Sequence, residues 1–170
     1  MNPEIEHVHF PNIACELGEM VEIDQTMRKS DQWDNTVDIK NTEQMKKIVS
    51  EIGWPTVSKV GIKGANNAWL LAQHADHDVD FQKHCLQLMK DASSGEVNKI
   101  DMAYLEDRVR VNQGKGQLYG TQFTQEGGKY IPIKIEDETN VDVRRAEIGM
   151  GSLSEQTQLM YSKYPIDDVN

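Results

Sequence analysis

The chain has 170 residues, a formal net charge of −10 at pH 7, 38% hydrophobic and 27% charged residues, and is too apolar to be disordered. Its length predicts one globular domain over residues 1–170, with flexible ends at 1–11 and 165–170. The negative charge excludes a nucleic-acid partner, and no apolar run nears the roughly 20 residues that cross a bilayer, so we expect a cytoplasmic protein without a membrane partner.

Four helices are expected in the first two thirds of the chain. They cover about residues 12–29, 41–52, 65–92 and 97–111. Asn12 is the expected cap of the first helix, and Gly53, Trp54 and Pro55 end the second, with Trp54 as a plug at the helix end. The third is the longest and the most central.

The last third of the chain carries turn signals and shorter helical patterns. Alternating residues on either side of Gly127 and Gly128 predict a β-hairpin within 117–135. Two short helices follow, near 141–148 and 153–161. The expected fold class is therefore mainly α, a compact bundle of about five or six helices with one short β-hairpin.

Polar residues interrupt the apolar face of the predicted long helix. His74, Asp78 and Gln82 are spaced i, i+4, i+8 inside that face, and His77 lies at its edge. Burial of a carboxylate costs several kcal/mol unless it gains partners. A carboxylate beside an imidazole fixes its tautomer, which suits a general base or a metal ligand.

Two other helices repeat this anomaly with an aspartate in the apolar face. Asp24 lies in the first helix with Arg28 one turn later, and Asp107 lies in the fourth beside Arg108. One interpretation is structural: Asp24 pairs with Arg28, and Asp107 pairs with Arg108 or Arg144. The other is functional, because repeated buried charge clusters at active sites, and it predicts that these residues converge in one polar pocket with His74, Asp78 and Gln82.

Residues that carry chemistry form a long series along the chain. The series comprises Asp24, Gln25 and Arg28, then Gly53 to Pro55, then Gln73 to Asp76 with Asp78, Phe81 and Gln82, then Asp107 to Val109, Tyr119 to Gln122, and Arg144 or Arg145. In this series the chain resembles an uncharacterised, largely bacterial family of small helical domains, over about residues 18–149. The resemblance implies a polar site and no particular activity.

A divalent cation is the one cofactor that these residue types suggest. His74, His77, Asp78 and Asp107 could hold one or two cations, because imidazole and carboxylate suit Mn, Fe, Zn or Mg between facing helices. The His77-Asp78 doublet resembles that of metal-dependent phosphohydrolases of the His-Asp type. A helical wheel, however, directs these two side chains about 100° apart.

Acid–base chemistry without a metal is the alternative. It assigns His74 as base and Asp78 as its orienter, with Gln82 and Asp107 completing the catalytic set. The substrate-binding set is Asp24, Arg28, Gln73, Arg108, Tyr119, Gln122 and Arg144. No serine elbow, phosphate loop or dinucleotide fingerprint is present, so the chemistries of those motifs are excluded.

Two classes of function remain open. The first is a hydrolase or lyase that acts on a small polar or anionic molecule. The second is a non-catalytic binding or immunity-type interaction protein with a structural polar network, since an acidic surface is compatible with a protein partner.

Cys15 and Cys85 are 70 residues apart and are expected to be small core residues, although Cys85 could also be a nucleophile. His7 and His9 are expected to be exposed.

Overall fold

A computed structural model describes the protein at residues 8–30 and 34–164. This part of the chain holds α1 (Pro11–Lys29), α2 (Asn35–Ile52), α3 (Val57–Gln73), α4 (Val79–Asp91), α5 (Lys99–Asn112), β1 (Phe123–Glu126), β2 (Lys129–Pro132), a 3₁₀ turn (Glu138–Asn140), α6 (Val141–Glu147) and α7 (Leu153–Lys163). The mainly α fold with one hairpin is confirmed. Of the helices in these ranges, none combines the length and the apolar character that crossing a membrane requires.

The chain divides into two compact units, and the boundary falls within α5. Unit 1 comprises Met1–Met102 and unit 2 comprises Ala103–Asn170. Most of the predicted flexible ends, residues 1–7 and 165–170, lies outside the described residues, and so does His7. Within the described part, His9 is exposed, and the N–H groups of His9 and Phe10 donate to the carbonyls of Ser58 and Lys59.

The first helix begins one residue earlier than its sequence pattern suggests. Asn12 is not its cap: Phe10 occupies the cap position without a side-chain hydrogen bond, and Pro11 fills the first turn. Proline suits that position because it has no N–H group to leave unpaired. The buried face of α1 is formed by Ile13, Leu17, Met20, Asp24 and Met27.

The second helix begins at Asn35, about six residues before the position predicted for it. Asp34 caps it by accepting a hydrogen bond from the N–H of Thr36 at 2.9 Å. The predicted start was wrong because the polar first two turns of α2 resemble a loop in composition. The end was correct: Gly53 follows the helix with a φ of 69°, which a residue with a side chain rarely adopts.

The predicted helix over residues 65–92 is two helices that meet at a corner, residues 74–78. α3 starts at Val57, kinks at Gly61 with a φ of 76°, and ends at Gln73. Asp78 then caps α4, accepting from the N–H of Phe81 at 3.0 Å. His74, Asp78 and Gln82 therefore do not share one helical face, since a cap residue starts a new helix.

The side chain of Gln82 connects α4 to the end of α3 at this corner. Its side-chain amide, fully buried, donates to the carbonyls of Ala72 and Gln73 at 3.2 Å each, and to Asp76 at 3.2 Å. The bond to Gln73 gives a partner to a carbonyl at the end of α3, whereas the carbonyl of Ala72 also accepts the N–H of Ala75. Gln82, a polar residue on the buried face of α4, therefore links α4 to the end of α3 through hydrogen bonds.

The core of unit 1 forms where α3 packs against α1, α2 and α4. Its largest fully buried apolar side chains include Leu17, Met45 and Leu71. Trp54 is 4% exposed, as expected of a plug at a helix end. Cys85 is in the core, but the same expectation for Cys15 was wrong, because that thiol is exposed on the outer face of α1.

Unit 2 is built around the hairpin and the two short helices. Strands β1 and β2 pair antiparallel from Phe123 with Pro132 to Glu126 with Lys129. Gly127 and Gly128 both have positive φ, as the tight hairpin turn requires, and so confirm the predicted turn. Ser152 and Glu155 form a reciprocal cap at the start of α7.

Candidate functional site

Four polar side chains meet in unit 1, where α1, α2 and the end of α3 come together. They are Asp24 and Arg28 of α1, Asp38 of α2 and His74, which follows the last residue of α3. We call them the Asp24 cluster. Asp24 and Arg28 share one face of α1 because they are one helical turn apart.

Arg28 joins the two carboxylates of the cluster. Its Nε lies 3.1 and 3.2 Å from the two carboxylate oxygens of Asp24, and its Nη2 lies 2.6 Å from Oδ1 of Asp38. The planar guanidinium can reach both partners because its donors point in fixed, divergent directions. The pairing of Asp24 with Arg28, expected from their spacing, is present.

His74 contacts the cluster through Nδ1. This atom lies 2.9 Å from Oδ1 of Asp24 and 3.1 Å from Nε of Arg28. A carboxylate can only accept a hydrogen bond, so in the tautomer that donates to Asp24 the ring proton is on Nδ1 and the lone pair is on Nε2. The carboxylate in contact with His74 is Asp24, rather than Asp78 as predicted from the sequence.

The side chain of Asp24 is 0% exposed. Burial alone would raise its pKa, but the hydrogen bonds from His74 and Gln25 and the charges of His74 and Arg28 together lower the pKa below 3.8. These contacts favour the charged form of the carboxylate. It can stabilise positive charge on the imidazole.

The cluster is also where the described residues could hold a cation. One ligand atom each from Asp24, Asp38 and His74 lies within 4.8 Å of the others. The Arg28 guanidinium already bonds to both carboxylates of this group. Of the four ligands predicted from sequence, His74 alone belongs to this group, and His77 is exposed.

Asp78 belongs to a neighbouring ion pair. Its Oδ2 lies 2.9 Å from Nζ of Lys46, and the hydrogen bond from Lys46, followed by the bond from the N–H of Phe81, lowers the pKa of Asp78. Lys46 lies two turns after Asp38 on α2, about 12 Å along the helix axis. Asp78 thus caps α4 and anchors it to α2.

Two buried amides, each close in sequence to a residue of the cluster, keep donors that the described residues leave unpaired. They are Nδ2 of Asn41 and Nε2 of Gln73. Asn41 follows Asp38 by three residues on α2, and Gln73 directly precedes His74. An unsatisfied buried donor costs about 1–3 kcal/mol, and such groups call for an explanation in a native fold.

Asp107, in unit 2, is surrounded by donors from one loop. Its carboxylate, fully buried, accepts hydrogen bonds from the N–H groups of Leu118 at 2.6 Å, Tyr119 at 3.1 Å and Thr121 at 3.0 Å, and from the Thr121 hydroxyl at 3.0 Å. Burial raises the pKa of Asp107 against the opposing effect of these bonds. Within the described residues its partners are these groups, rather than either predicted arginine.

The arginines of unit 2 hold the same loop from its other side. Nε of Arg144 donates to the carbonyl of Leu118 at 2.8 Å, and Nη1 of Arg145, 1% exposed, donates to that of Tyr119 at 2.6 Å. Nη1 of Arg108 donates to the side chain of Gln122 at 3.0 Å. Asp107 and these arginines together fix the course of the loop.

Comparison with known protein families matches residues 11–168 of the chain. The chain belongs to the family of unknown function DUF6624. Both polar groups lie inside the DUF6624 match. No curated protein and no solved structure matches the chain.

The polar series of this DUF6624 chain divides between the two units. Unit 1 brings together Asp24, Arg28 and His74, and unit 2 brings together predicted residues around Asp107. A single pocket for all of them stays a prediction. The sequence analysis missed Asp38. This residue lies one helical turn before the buried Thr42, so the buried face of α2, extended towards the start of the helix, includes it.

Proposed function

We propose that the Asp24 cluster is the active site of a hydrolase or lyase in which His74 is the general base and Asp24 orients it. The observation that carries this proposal is the 2.9 Å contact between Nδ1 of His74 and a fully buried carboxylate. The imidazole itself keeps 17% of its side-chain surface exposed, so a small molecule can reach it. A base needs both orientation and access.

The chemistry follows from which ring nitrogen holds the proton. Nε2 takes a proton from a water or from the substrate, and the positive charge that this places on the ring is balanced by Asp24. The imidazolium then returns the proton to the leaving group. General base catalysis of this kind contributes about 10²–10⁴-fold to a rate.

The charges of the cluster favour a polar substrate over an anion. Two carboxylates and one guanidinium leave the cluster with one net negative charge, which would repel an anionic substrate. The buried donors of Asn41 and Gln73 suit a molecule with carbonyl or hydroxyl oxygens. We therefore propose a neutral polar substrate.

Metal assistance fits this cluster less well than acid–base chemistry alone. A cation bound by Asp24, Asp38 and His74 would compete with the guanidinium of Arg28, which already bonds to both carboxylates. Such a cation would have to displace Arg28 from both carboxylates. We therefore propose that the reaction proceeds without a metal.

A second candidate is a non-catalytic interaction protein. The observation that favours it is that Asp78, Gln82 and Asp107 all bond to backbone groups that fix helix ends or a loop. If the Asp24 cluster has the same purpose, it stabilises the packing of three helices and performs no chemistry. The experiment must therefore measure activity and stability together.

The experiment compares His74→Gln with His77→Gln, an exposed histidine three residues away. Both variants and the parent are assayed against a panel of neutral esters, amides and lactones, with hydroxy acids as the anionic comparison, and their free energies of unfolding are measured in urea. The proposal predicts a loss of activity of about 100-fold or more in His74→Gln alone, with stability little changed. A loss of several kcal/mol without any activity in the parent would support the interaction protein instead.

A cytoplasmic location and a bacterial origin remain part of the proposal. The two cysteines, Cys15 and Cys85, are both free thiols. Free thiols suit a reducing compartment, in which disulfides are rare.

A further inference from the structure

Unit 1 contains a cavity that shares no residue with the Asp24 cluster. It lies between α3, α4, the start of α5 and the segment after α2, and it measures about 160 Å³. Its walls include Trp54, Val57, Trp69 and Met89, together with the polar side chains of Asn66 and Asp101. Ile62 also lines it and is 74% exposed, so this residue marks an opening to solvent.

The volume matches a ligand of a few non-hydrogen atoms. An apolar cavity of about 150 Å³ in a protein interior can hold one benzene molecule. The cavity differs from such a space because one wall carries a carboxylate. Its occupant should therefore be small, compact and able to face both apolar surface and a charge.

Asp101 is the one charged residue among the described residues that line the cavity. Its carboxylate accepts a hydrogen bond from Nδ2 of Asn66 at 3.3 Å, and in the described part of the chain no cationic side chain pairs with it. Burial raises the pKa of Asp101, against the effect of the Asn66 bond. The carboxylate is half-buried and has no counter-ion among the described residues, so a cation in the cavity would pair with it.

Two indole rings line the same small space. The face of a tryptophan ring attracts cations more strongly than that of any other side chain, and clusters of aromatic rings bind methylated ammonium groups. We propose that this cavity binds a small organic ammonium ion, with Asp101 as counter-ion and Trp54 and Trp69 as aromatic walls.

Other occupants fit the cavity less well. A metal ion needs several oxygen or nitrogen ligands, and the walls are mainly apolar. An anion would meet an unpaired carboxylate in a chain of net charge −10. A neutral apolar molecule would fill the volume but leave Asp101 without compensation, so charge should decide the affinity.

The test uses tetramethylammonium chloride as the probe and tert-butanol as a neutral molecule of the same size. Each is titrated into the full chain at constant ionic strength, and the indole N–H signals of Trp54 and Trp69 are followed by ¹H–¹⁵N NMR. The ammonium ion should shift both signals to saturation, whereas tert-butanol should bind at least roughly tenfold more weakly, because it lacks the cation–π and ionic contacts.

Two variants and a control locate the site. Asp101→Asn and Trp69→Leu should each weaken tetramethylammonium binding by roughly tenfold or more. Asp80→Asn removes a carboxylate of α4 that is 92% exposed and should leave the affinity unchanged. Equal affinity for tert-butanol, unchanged binding in a folded Asp101→Asn variant, or no saturable shift with the ammonium ion would each overturn the proposal. If Asp101→Asn does not fold, Trp69→Leu decides the outcome alone.

Discussion

Asp24 of unit 1 and Asp107 of unit 2 are both fully buried aspartates on the inner face of a helix, but different groups hold their carboxylates. Asp24 contacts a guanidinium and an imidazole, whereas Asp107 accepts three backbone N–H groups and a hydroxyl. The pKa of Asp24 is lowered and that of Asp107 is raised. A buried carboxylate therefore does not mark a reactive site by itself, because its partners decide whether a proton can move there.

The largest effect on stability should come from Asp107→Ala. This change leaves several N–H groups of the 118–121 loop buried without an acceptor, and it should lower the free energy of unfolding by about 3–5 kcal/mol. Urea denaturation followed by circular dichroism measures the loss. Glu126→Ala, at an exposed position of β1, is the control. A loss below about 1 kcal/mol would contradict the structural role of Asp107.

Asp24→Asn should cost less stability than Asp107→Ala. Arg28, with 21% of its side chain exposed, keeps its bond to Asp38, so the expected loss is about 1.5–3 kcal/mol, the value for hydrogen bonds to charged groups. The same urea experiment measures it. If Asp24→Asn proved as destabilising as Asp107→Ala, the distinction between the two carboxylates would lose its energetic basis.

Arg28→Ala should turn the Asp24 cluster into a metal site. The change frees Asp24, Asp38 and His74, whose ligand atoms are already within 4.8 Å of one another. Zinc at ten times its dissociation constant should then stabilise the variant by about 1.4 kcal/mol, seen as a higher melting temperature. The parent should respond neither to zinc nor to chelator. A parent whose melting temperature falls on addition of chelator would show that a metal, rather than Arg28, is the native partner.

The pH dependence of stability should differ in sign between the two aspartates. Because the pKa of Asp24 is lowered in the folded state, its stabilisation is present above about 3.8 and is lost as the pH falls through the folded pKa. Because the pKa of Asp107 is raised, its ionisation costs stability, and this cost disappears as the pH falls through its folded pKa towards 3.8.

Urea denaturation between pH 7 and pH 3 tests this contrast. The stability difference between the parent and Asp24→Asn should shrink below about pH 4. The difference between the parent and Asp107→Asn should grow as the pH approaches 4 from above. Curves of the same sign for the two variants would refute the opposite pKa shifts.

Glycine and proline signals in the sequence predicted where several elements of the fold end or turn. Gly53 before Trp54 and Pro55 stops α2, and Gly127 with Gly128 forms the hairpin turn, because each signal acts on residues beside it. The 74–78 corner was missed because apolar spacing continues across it, although Asp78 carried the signal of a cap. Where local and periodic signals disagreed, the local signal was correct.

The candidate site was only half visible in the sequence. Asp24 stood out as a charge in an apolar face, and Arg28 was found by its helical spacing. The contact between Asp24 and His74 joins residues 50 apart, and no local pattern predicts such a pairing. Asp38 was hidden because the polar start of α2 was interpreted as a loop.

The tautomer of His74 tests the central claim most directly. Long-range ¹H–¹⁵N NMR correlations of neutral imidazoles distinguish a proton on Nδ1 from one on Nε2, with the exposed His77 and His84 as references in the same spectrum. If Asp24 orients His74 as a base, the proton is on Nδ1, and Asp24→Asn abolishes that preference. If Nδ1 instead accepts the N–H of Arg28 and the proton is on Nε2, His74 has no lone pair to offer a substrate, and the proposed mechanism is wrong.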